Sequence, residues 1–206
     1  MQVSARLSTE GSMTTRRNLL FVGLSLSLLS SCGPPPDVPV FPDLRFTGGP
    51  LLLLDASQIE LRMLYQPSDP DRLFPVPPSQ ALQNWARDRL RAGGRNSGPA
   101  RYTIVNARAT VTDLPIKGGV SGTFTDQVSQ QYTVQAEATL EILDTRGMAV
   151  RSVRVNASRS NGVLQSASPI DRERARYDLV KALMADFDQQ MEQQIRDNFG
   201  LYLLSR

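Results

Sequence analysis

Few side chains in this 206-residue chain are suited to chemistry. Cys32 is the only cysteine, and the sequence contains no histidine. Histidine is the usual general base near neutral pH, a common zinc ligand and the base of Ser-His hydrolases. A hydrolase without it would need a Ser-Lys or a carboxylate mechanism, and neither arrangement is visible. We therefore predict a protein that is not an enzyme and needs neither a metal nor a cofactor, with a hydrolase as the minor alternative.

Cys32 directly follows a segment that is typical of an exported protein. A charged start, an apolar stretch of 7–15 residues and small residues before a cut form a secretory signal peptide. An eleven-residue apolar stretch spans only about 16 Å as a helix, whereas the hydrocarbon core of a membrane is roughly 30 Å thick. We therefore predict a cleaved leader over residues 1–31. Its parts are Arg16, Arg17, the apolar run Leu19–Leu29, and the small residues Ser30 and Ser31.

The residues Leu29-Ser30-Ser31-Cys32 resemble the lipobox of bacterial lipoproteins, in which a branched apolar residue and two small residues precede the cysteine. The resemblance implies that the Cys32 thiol receives a diacylglycerol, that the leader is cut before Cys32 and that the new amine is acylated. Gly33, rather than Asp, follows the cysteine. By the sorting rule of enteric lipoproteins, this implies a lipid anchor in the outer membrane, facing the periplasm. An ordinary secretory peptide with a chance cysteine is the alternative.

Two details of the leader stay open. The run Thr15–Leu20 resembles the twin-arginine export motif, which carries folded proteins, but paired arginines also occur in ordinary leaders. Met13 would give a leader of more typical length than Met1. The export route and the start residue are therefore not decided by the sequence.

The charge of the mature chain argues against a nucleic-acid partner. The full chain has 23 basic and 20 acidic side chains. The predicted leader contains three arginines and one glutamate, so its removal leaves 20 basic against 19 acidic side chains, a net charge of +1. Nucleic-acid binding by counterion release needs a concentrated basic surface. We therefore expect a membrane, reached through the lipid anchor, and an envelope protein as the partners.

Two segments are candidates for an interaction surface. Arginines cluster on the first predicted helix and just after it, with only Asp88 opposing them, and could contact lipid headgroups, a phosphorylated glycan or an acidic protein. A solvated helix face is the alternative. Loop 113–130 is rich in glycine and carries apolar side chains that could dock on a membrane or a partner. The candidate residues are Arg87, Arg89, Arg91, Arg95 and Phe124.

The mature chain divides into a tether and one domain. Residues 32–50 hold the acylated cysteine and six prolines, and proline favours the extended polyproline II conformation. We predict a semi-rigid spacer of about 40–50 Å between lipid and domain, with a proline-rich recognition ligand as the alternative. Residues 51–206 are long enough for a single domain with its own core.

The apolar spacing predicts a two-layer α+β domain of order β-α-β-β-β-α, with about four mostly antiparallel strands and a long C-terminal helix on one face. Ser79 is expected to cap the first helix and Gly93-Gly94 to end it. The C-terminal helix is longer than a four-stranded sheet is wide, so we expect part of its apolar stripe to extend past the core. The predicted elements are strands 58–65, 101–111, 131–142 and 149–158, a turn at 144–147, and helices 79–92 and 168–199.

Residues 75–200 resemble an uncharacterised family of proteobacterial lipoproteins. The resemblance rests on the stretch Pro77–Leu90, the Phe124-Thr125 loop, the strand of Tyr132 and the long terminal helix. In layout the chain is distantly similar to the auxiliary lipoproteins of ABC-type lipid transporters and to lipopolysaccharide-assembly lipoproteins. The resemblance implies a non-enzymatic accessory protein of envelope assembly or lipid transport. A periplasmic module that binds a small amphiphile between helix and sheet is the alternative.

Overall fold

The computed structural model describes residues 40–94, 98–116 and 126–204. Two helices and seven strands lie in these ranges, together with short 3-10 turns at Asp69–Leu73 and Gly200–Tyr202. The fold is α+β, as predicted, and its main sheet is open and mostly antiparallel. The elements are β1 (Leu52–Leu54), β2 (Ile59–Met63), α1 (Pro78–Arg89), β3 (Leu90–Ala92), β4 (Ala100–Asn106), β5 (Ala109–Asp113), β6 (Val128–Leu143), β7 (Ala149–Leu164) and α2 (Pro169–Asn198).

The main sheet has five strands arranged around the long strand β6. One edge of β6 pairs with β4 and β5 in succession, and its other edge pairs with β7 along almost its whole length. These pairs are antiparallel, whereas β2 pairs with β4 in parallel at the outer edge. The alternation of apolar and polar residues along β6 is reproduced in the structure, because Tyr132 to Ile142 are buried at every second position. The opposite row faces solvent.

The predicted second strand is interrupted between β4 and β5. The register with β6 shifts after Ile104, and this irregularity changes which residues face the core. Before it, Tyr102 and Ile104 are fully buried; after it, Ala107 and Ala109 are. Each row of this strand therefore faces the core on one side of the bulge only. A bulge adds one residue to one strand and so exchanges the two faces.

The turn between β6 and β7 follows its predicted chemistry. The Asp144 carboxylate accepts hydrogen bonds from the backbone N–H groups of Arg146 (2.9 Å) and Met148 (2.8 Å). Gly147 has φ of +81°, a conformation that glycine adopts without a steric penalty. The predicted hairpin is therefore confirmed, and its second strand is longer than expected.

Helix α1 begins and ends differently from the prediction. Pro77 is its N-cap and Pro78 its first residue, so Ser79 lies inside the first turn, buried, and is not the cap. Proline, which lacks a backbone N–H, is common at the first position of a helix because the first N–H groups of a helix have no partner within the helix. The helix ends at Arg89 and the chain passes directly into β3, so Gly93 and Gly94 do not terminate it.

Helix α2 is capped as predicted. Ser168 Oγ accepts a hydrogen bond from the backbone N–H of Asp171 (3.2 Å), and Pro169 occupies the first position. The expected overhang of its apolar stripe is wrong: Val180, Phe187 and Ile195 are all 0 % exposed. The reason is that α2 packs lengthwise along β7 rather than across the strands of the sheet. The 16-residue strand is about 53 Å long and the 30-residue helix about 45 Å, so the strand covers the whole length of the helix.

Aromatic side chains fill the layer between the helices and the sheet. The ring of Trp85 on α1 lies 5.4 Å from Phe187 on α2 and 5.5 Å from Tyr102 on β4, measured between centroids. All three side chains are fully buried. Burial raises the pKa of the Tyr102 phenol well above its usual value, and within the described ranges its hydroxyl has no hydrogen-bond partner.

A small second sheet joins the ends of the domain. Strands β1 and β3 pair in parallel, and the chain after α2 returns to β1 through an antiparallel bridge between Leu54 and Leu203. The backbone N–H of Leu204 donates to the carbonyl of Leu53 (2.9 Å). The C-terminal segment is therefore tied to the first strand.

Candidate interaction surfaces

The structure divides the predicted arginine surface. Arg87 and Arg91 are exposed on the outside of α1 and at the start of β3, as an interaction surface requires. Arg89 is 0 % exposed, so its place on that surface is corrected. Arg95 and Phe124 lie outside the described residues, as do Cys32 and the lipobox residues Leu29, Ser30 and Ser31.

Arg89 is the centre of a buried polar cluster. Its Nε donates to Asp188 Oδ1 (2.8 Å), its Nη1 to the carbonyl of Pro50 (2.6 Å), and its Nη2 forms an ion pair with Glu192. Trp85 Nε1 donates to the same Asp188 oxygen (2.7 Å). The guanidinium therefore links α1, α2 and the segment before β1, and its role is to hold these three parts together.

The two carboxylates of this cluster keep some contact with water. The side chains of Asp188 and Glu192 are 31 % and 25 % exposed. Burial acts to raise the pKa of Glu192, but the neighbouring guanidinium groups of Arg196 and Arg89 outweigh it and hold that pKa below its usual value. Arg89 is thus paired with two carboxylates, and each charged group of this cluster has a partner.

Residues 41–50, here called the strap, are folded onto the helices. Leu44 is buried in the core, and the Arg45 guanidinium holds the Asp88 carboxylate with two hydrogen bonds of 2.8 and 2.6 Å. The backbone N–H of Phe46 donates to the same carboxylate (2.9 Å). The predicted spacer therefore ends before Phe41, and the prolines of the strap do not keep it away from the domain.

The Arg45 guanidinium, against the opposing effect of burial, holds the pKa of Asp88 below its usual value. Asp88 is the one acidic residue in the arginine cluster, and the sequence predicts no role for it beyond opposing the charge of the arginines. In the structure it is 7 % exposed and is the attachment point of the strap. Its partner is 43 residues away in sequence, so no local pattern identifies it.

A cleft of about 470 Å³ lies between the strap and α2. It is open to solvent, and its lining combines Phe46 and Met184 with the charged side chains of Lys181 and Asp188. Asp188 is already bound by Arg89 and Trp85. The cleft lies on the outer side of α2 and not between helix and sheet, where the amphiphile alternative places its ligand.

A second buried carboxylate has a structural role. Asp71 is 1 % exposed and accepts four hydrogen bonds: from Tyr65 Oη (2.7 Å), Ser68 N–H (2.6 Å), Ser68 Oγ (2.9 Å) and Ala109 N–H (2.6 Å). Burial acts to raise the pKa of Asp71, but these hydrogen bonds outweigh it and hold the pKa below its usual value. The carboxylate fixes the 3-10 turn to the start of β5, and both of its oxygens accept hydrogen bonds.

The outer edge of β7 is a long polar surface of the domain. Within the described residues β7 pairs only with β6, so the backbone groups on its other side have no strand partner. Two of its three arginines are paired within the domain, because Arg154 pairs with Glu137 and Arg159 binds Asp186 with hydrogen bonds of 2.5 and 2.9 Å. Arg151 instead donates to the backbone carbonyl of Val150 (2.8 Å), so the edge presents backbone with one exposed arginine near the turn.

Neither a membrane span nor a metal cluster stands out in these ranges. Among the helices that the structure describes, none combines the length and the apolarity that crossing a membrane requires. Within the same residues, acidic side chains do not gather into a group of three that could hold a metal ion.

The chain was compared with known proteins by sequence and by structure. No protein-family model matches it, and no curated protein matches its sequence. Among solved structures it is similar to a minor lipoprotein of Acinetobacter baumannii, with 16% identity over 68% of this chain and 90% of the other, at a TM-score of 0.38. It is also similar to rare lipoprotein B of Shewanella oneidensis, with 11% identity over 66% and 98% of the two chains and a TM-score of 0.30. These matches are bacterial lipoproteins, and at such TM-scores they do not establish a family.

Proposed function

We propose that this chain is a lipid-anchored, non-enzymatic accessory protein of the bacterial envelope that binds a partner protein in envelope assembly or lipid transport. The anchor is the acylated Cys32, and Gly33 after it favours the outer membrane with the domain in the periplasm. The chemistry-poor composition supports a binding role, since the sequence has no histidine and its buried carboxylates Asp71 and Asp88 are used within the fold. The partner surface is the outer edge of β7.

The length of that edge is the observation that carries the proposal. β7 has 16 residues, about 53 Å, whereas strands in globular proteins usually have about five or six residues. An unpaired edge presents a row of N–H and C=O groups that bind another extended chain. Proteins normally block such edges with proline or with charged side chains, especially lysine. β7 contains neither proline nor lysine, and two of its three arginines are paired with carboxylates of the domain. A free edge of this length fits an extended segment of a partner.

A crosslinking experiment in cells tests this function. A photoreactive amino acid is introduced at Asn156 or Ser158, two exposed residues of β7, in the full-length protein. Gln190, which is exposed on α2, is the matched control position. Irradiation is expected to give an adduct of one defined mass from both β7 positions and not from Gln190, because only the edge meets the partner.

Three results of this experiment contradict the proposal. If neither β7 position gives an adduct, the edge has no partner in the cell. If Gln190 gives the same adducts as Asn156, the contact is not specific to the edge. A lipid adduct in place of a protein adduct would replace partner binding by the amphiphile alternative.

A further inference from the structure

The strap follows α2 in a defined direction. The ring of Phe41 lies 5.3 Å from the ring of Tyr177, near the start of the helix. Leu44, Arg45 and Phe46 line the cleft with Lys181 and Met184 further along, and the carbonyl of Pro50 binds the arginine that pairs with Asp188 and Glu192. The strap therefore runs parallel to α2, and the chain before it leaves the domain near the N-terminal end of that helix.

The number of residues between Cys32 and the strap is small. Eight residues, 33–40, separate Cys32 from Phe41, and they span at most about 28 Å when fully extended. Asn198 at the other end of α2 is 21 residues beyond Tyr177, about 32 Å along the helix axis. If Cys32 is in a membrane, the end of the domain near Phe41 stays within about 28 Å of that membrane, whereas the tether sets no such limit on the opposite end.

The end near Phe41 carries apolar side chains that are exposed. Val128 and Leu164 face each other at the open end of the β6–β7 hairpin and are 42 % and 44 % exposed. Ile170, in the first turn of α2, is 40 % exposed. Arg172 holds these pieces together, because its guanidinium donates to Gln130 Oε1 and to the carbonyls of residues 164, 165 and 167. Val128, Leu164 and Ile170 are here called the hairpin-end patch.

Exposure of apolar groups does not by itself choose this end. Met148, in the turn at the other end of the hairpin, is 59 % exposed. What distinguishes the two ends is the tether, since a tether of about 28 Å holds the end near Phe41 close to the anchor, while the other end of β7 is about 53 Å further along and is not held in this way. From the direction of the strap, that end is the hairpin-end patch.

We propose that the hairpin-end patch rests on the membrane that holds the lipid of Cys32, with Val128, Leu164 and Ile170 in the boundary between headgroups and acyl chains. The proposal rests on the lipid anchor of the proposed function. Apolar side chains at a membrane surface are buried about 5–10 Å into that boundary. The domain is then oriented with α2 and β7 rising from the membrane, and the turn at Met148 is farthest from it.

The single cysteine makes this orientation measurable. Acylation occupies the Cys32 thiol, so an introduced cysteine is the only free thiol in the mature chain. The acylated full-length variants L164C, I170C and M148C are labelled with an environment-sensitive fluorophore. They are reconstituted into vesicles of phosphatidylethanolamine and phosphatidylglycerol that contain lipids with a nitroxide on the acyl chain. M148C is the matched control, since Met148 is an exposed apolar residue on the same hairpin.

We expect the nitroxide lipids to lower the fluorescence at positions 164 and 170 by at least about twofold, because these positions lie at the depth of the boundary between headgroups and acyl chains. The fluorescence at position 148 is expected to stay unchanged. Equal quenching at all three positions, or quenching at none, in protein that floats with the vesicles overturns the orientation. Protein that fails to float with the vesicles instead contradicts the lipid anchor, so the two failures are distinguished by the flotation step.

Discussion

At the scale of single residues, Arg89 is buried although the neighbouring arginines Arg87 and Arg91 are exposed. The sequence groups it with Arg87 and Arg91, but it follows Leu82 by seven residues and Trp85 by four, the spacing of one helix face. Helical periodicity therefore places Arg89 on the buried side of α1. The carboxylates that make this burial possible are 99 and 103 residues away, so the sequence indicates the face but not the partners.

Replacing Arg89 by methionine is expected to destabilise the fold by about 2–3 kcal/mol, below the roughly 3–5 kcal/mol of a fully buried pair, because Asp188 and Glu192 would keep part of their hydration. The measurement is urea unfolding at pH 7. R87M is the matched control on the exposed side of the same helix, with an expected change within about 0.5 kcal/mol. Similar losses in both variants would show that the cluster around Arg89 does not link the helices.

Asp71 gives a prediction that depends on pH. The pKa of its carboxyl is below the ordinary value in the folded state, so its stabilising effect is present above the unfolded pKa and is lost as the pH falls through the folded one. D71N should lower the free energy of unfolding by about 2 kcal/mol at pH 7. The reason is that the NH₂ group of the new asparagine would face N–H and O–H groups that now donate hydrogen bonds to the Asp71 carboxylate. The difference from wild type should shrink below about pH 4.

The control for this prediction is D69N, at an exposed position of the same 3-10 turn, with an expected change within about 0.5 kcal/mol. Both variants are compared with wild type by urea unfolding at pH 7 and in steps below pH 4. A deficit of D71N that stays constant down to acid pH would mean that the ionised carboxylate does not account for its effect.

At the scale of elements, the strap is the part that the sequence describes least well. Its prolines indicate an extended spacer, and the extended conformation is indeed compatible with lying along a helix. What decides between a spacer and a packed segment is the long-range contact of Arg45 with Asp88 and the burial of Leu44. Neither has a local signature, so the boundary at residue 50 could not have been placed correctly from composition.

The strands and helices with a regular apolar period were predicted well, by contrast. Strand β6 and the turn at Asp144 follow from alternation and turn chemistry, and the start of α2 follows from Ser168, Pro169 and Asp171. The bulge after Ile104 was not predicted, because Ile104 and Val105 are both apolar and the sequence does not show at which residue the inward row changes. The short pair of β1 and β3 was missed because three-residue strands have too few positions to show a period.

The closure of the strap over Arg89 is tested at Gly49. A methyl group on Gly49 would occupy the position of the Arg89 guanidinium, which is fixed by Asp188, Glu192 and the carbonyl of Pro50. G49A is therefore expected to destabilise the protein by about 1–3 kcal/mol through overpacking. The matched control is G48A, where a methyl group meets nothing within 4 Å. Thermal unfolding of both variants gives the comparison.

G48A is expected to be neutral or to stabilise the protein by less than about 1 kcal/mol, since alanine restricts the unfolded chain. If G49A unfolds like G48A, the strap does not close on the Arg89 guanidinium.

At the scale of the whole molecule, the domain is asymmetric in a way that fits its proposed location at a membrane. One face of the sheet is covered by two helices and the other is solvated, the long edge of β7 is unpaired, and the strap leads the chain out at one end of α2. The tether and the strap orient the domain, while the edge of β7 supplies a surface for a partner. The orientation of the domain on the membrane rests on one assumption, that Cys32 is the point of attachment.

The mass of the mature N-terminus tests that assumption most directly. The full-length protein is expressed in a Gram-negative host, purified from the membrane fraction and analysed by intact mass spectrometry. The mature chain is predicted to begin at Cys32 and to carry a diacylglycerol on its thiol and an acyl group on its amine, whereas the C32A variant is predicted to lack these lipids. A free thiol at Cys32, or a chain cut at another residue, would contradict the account.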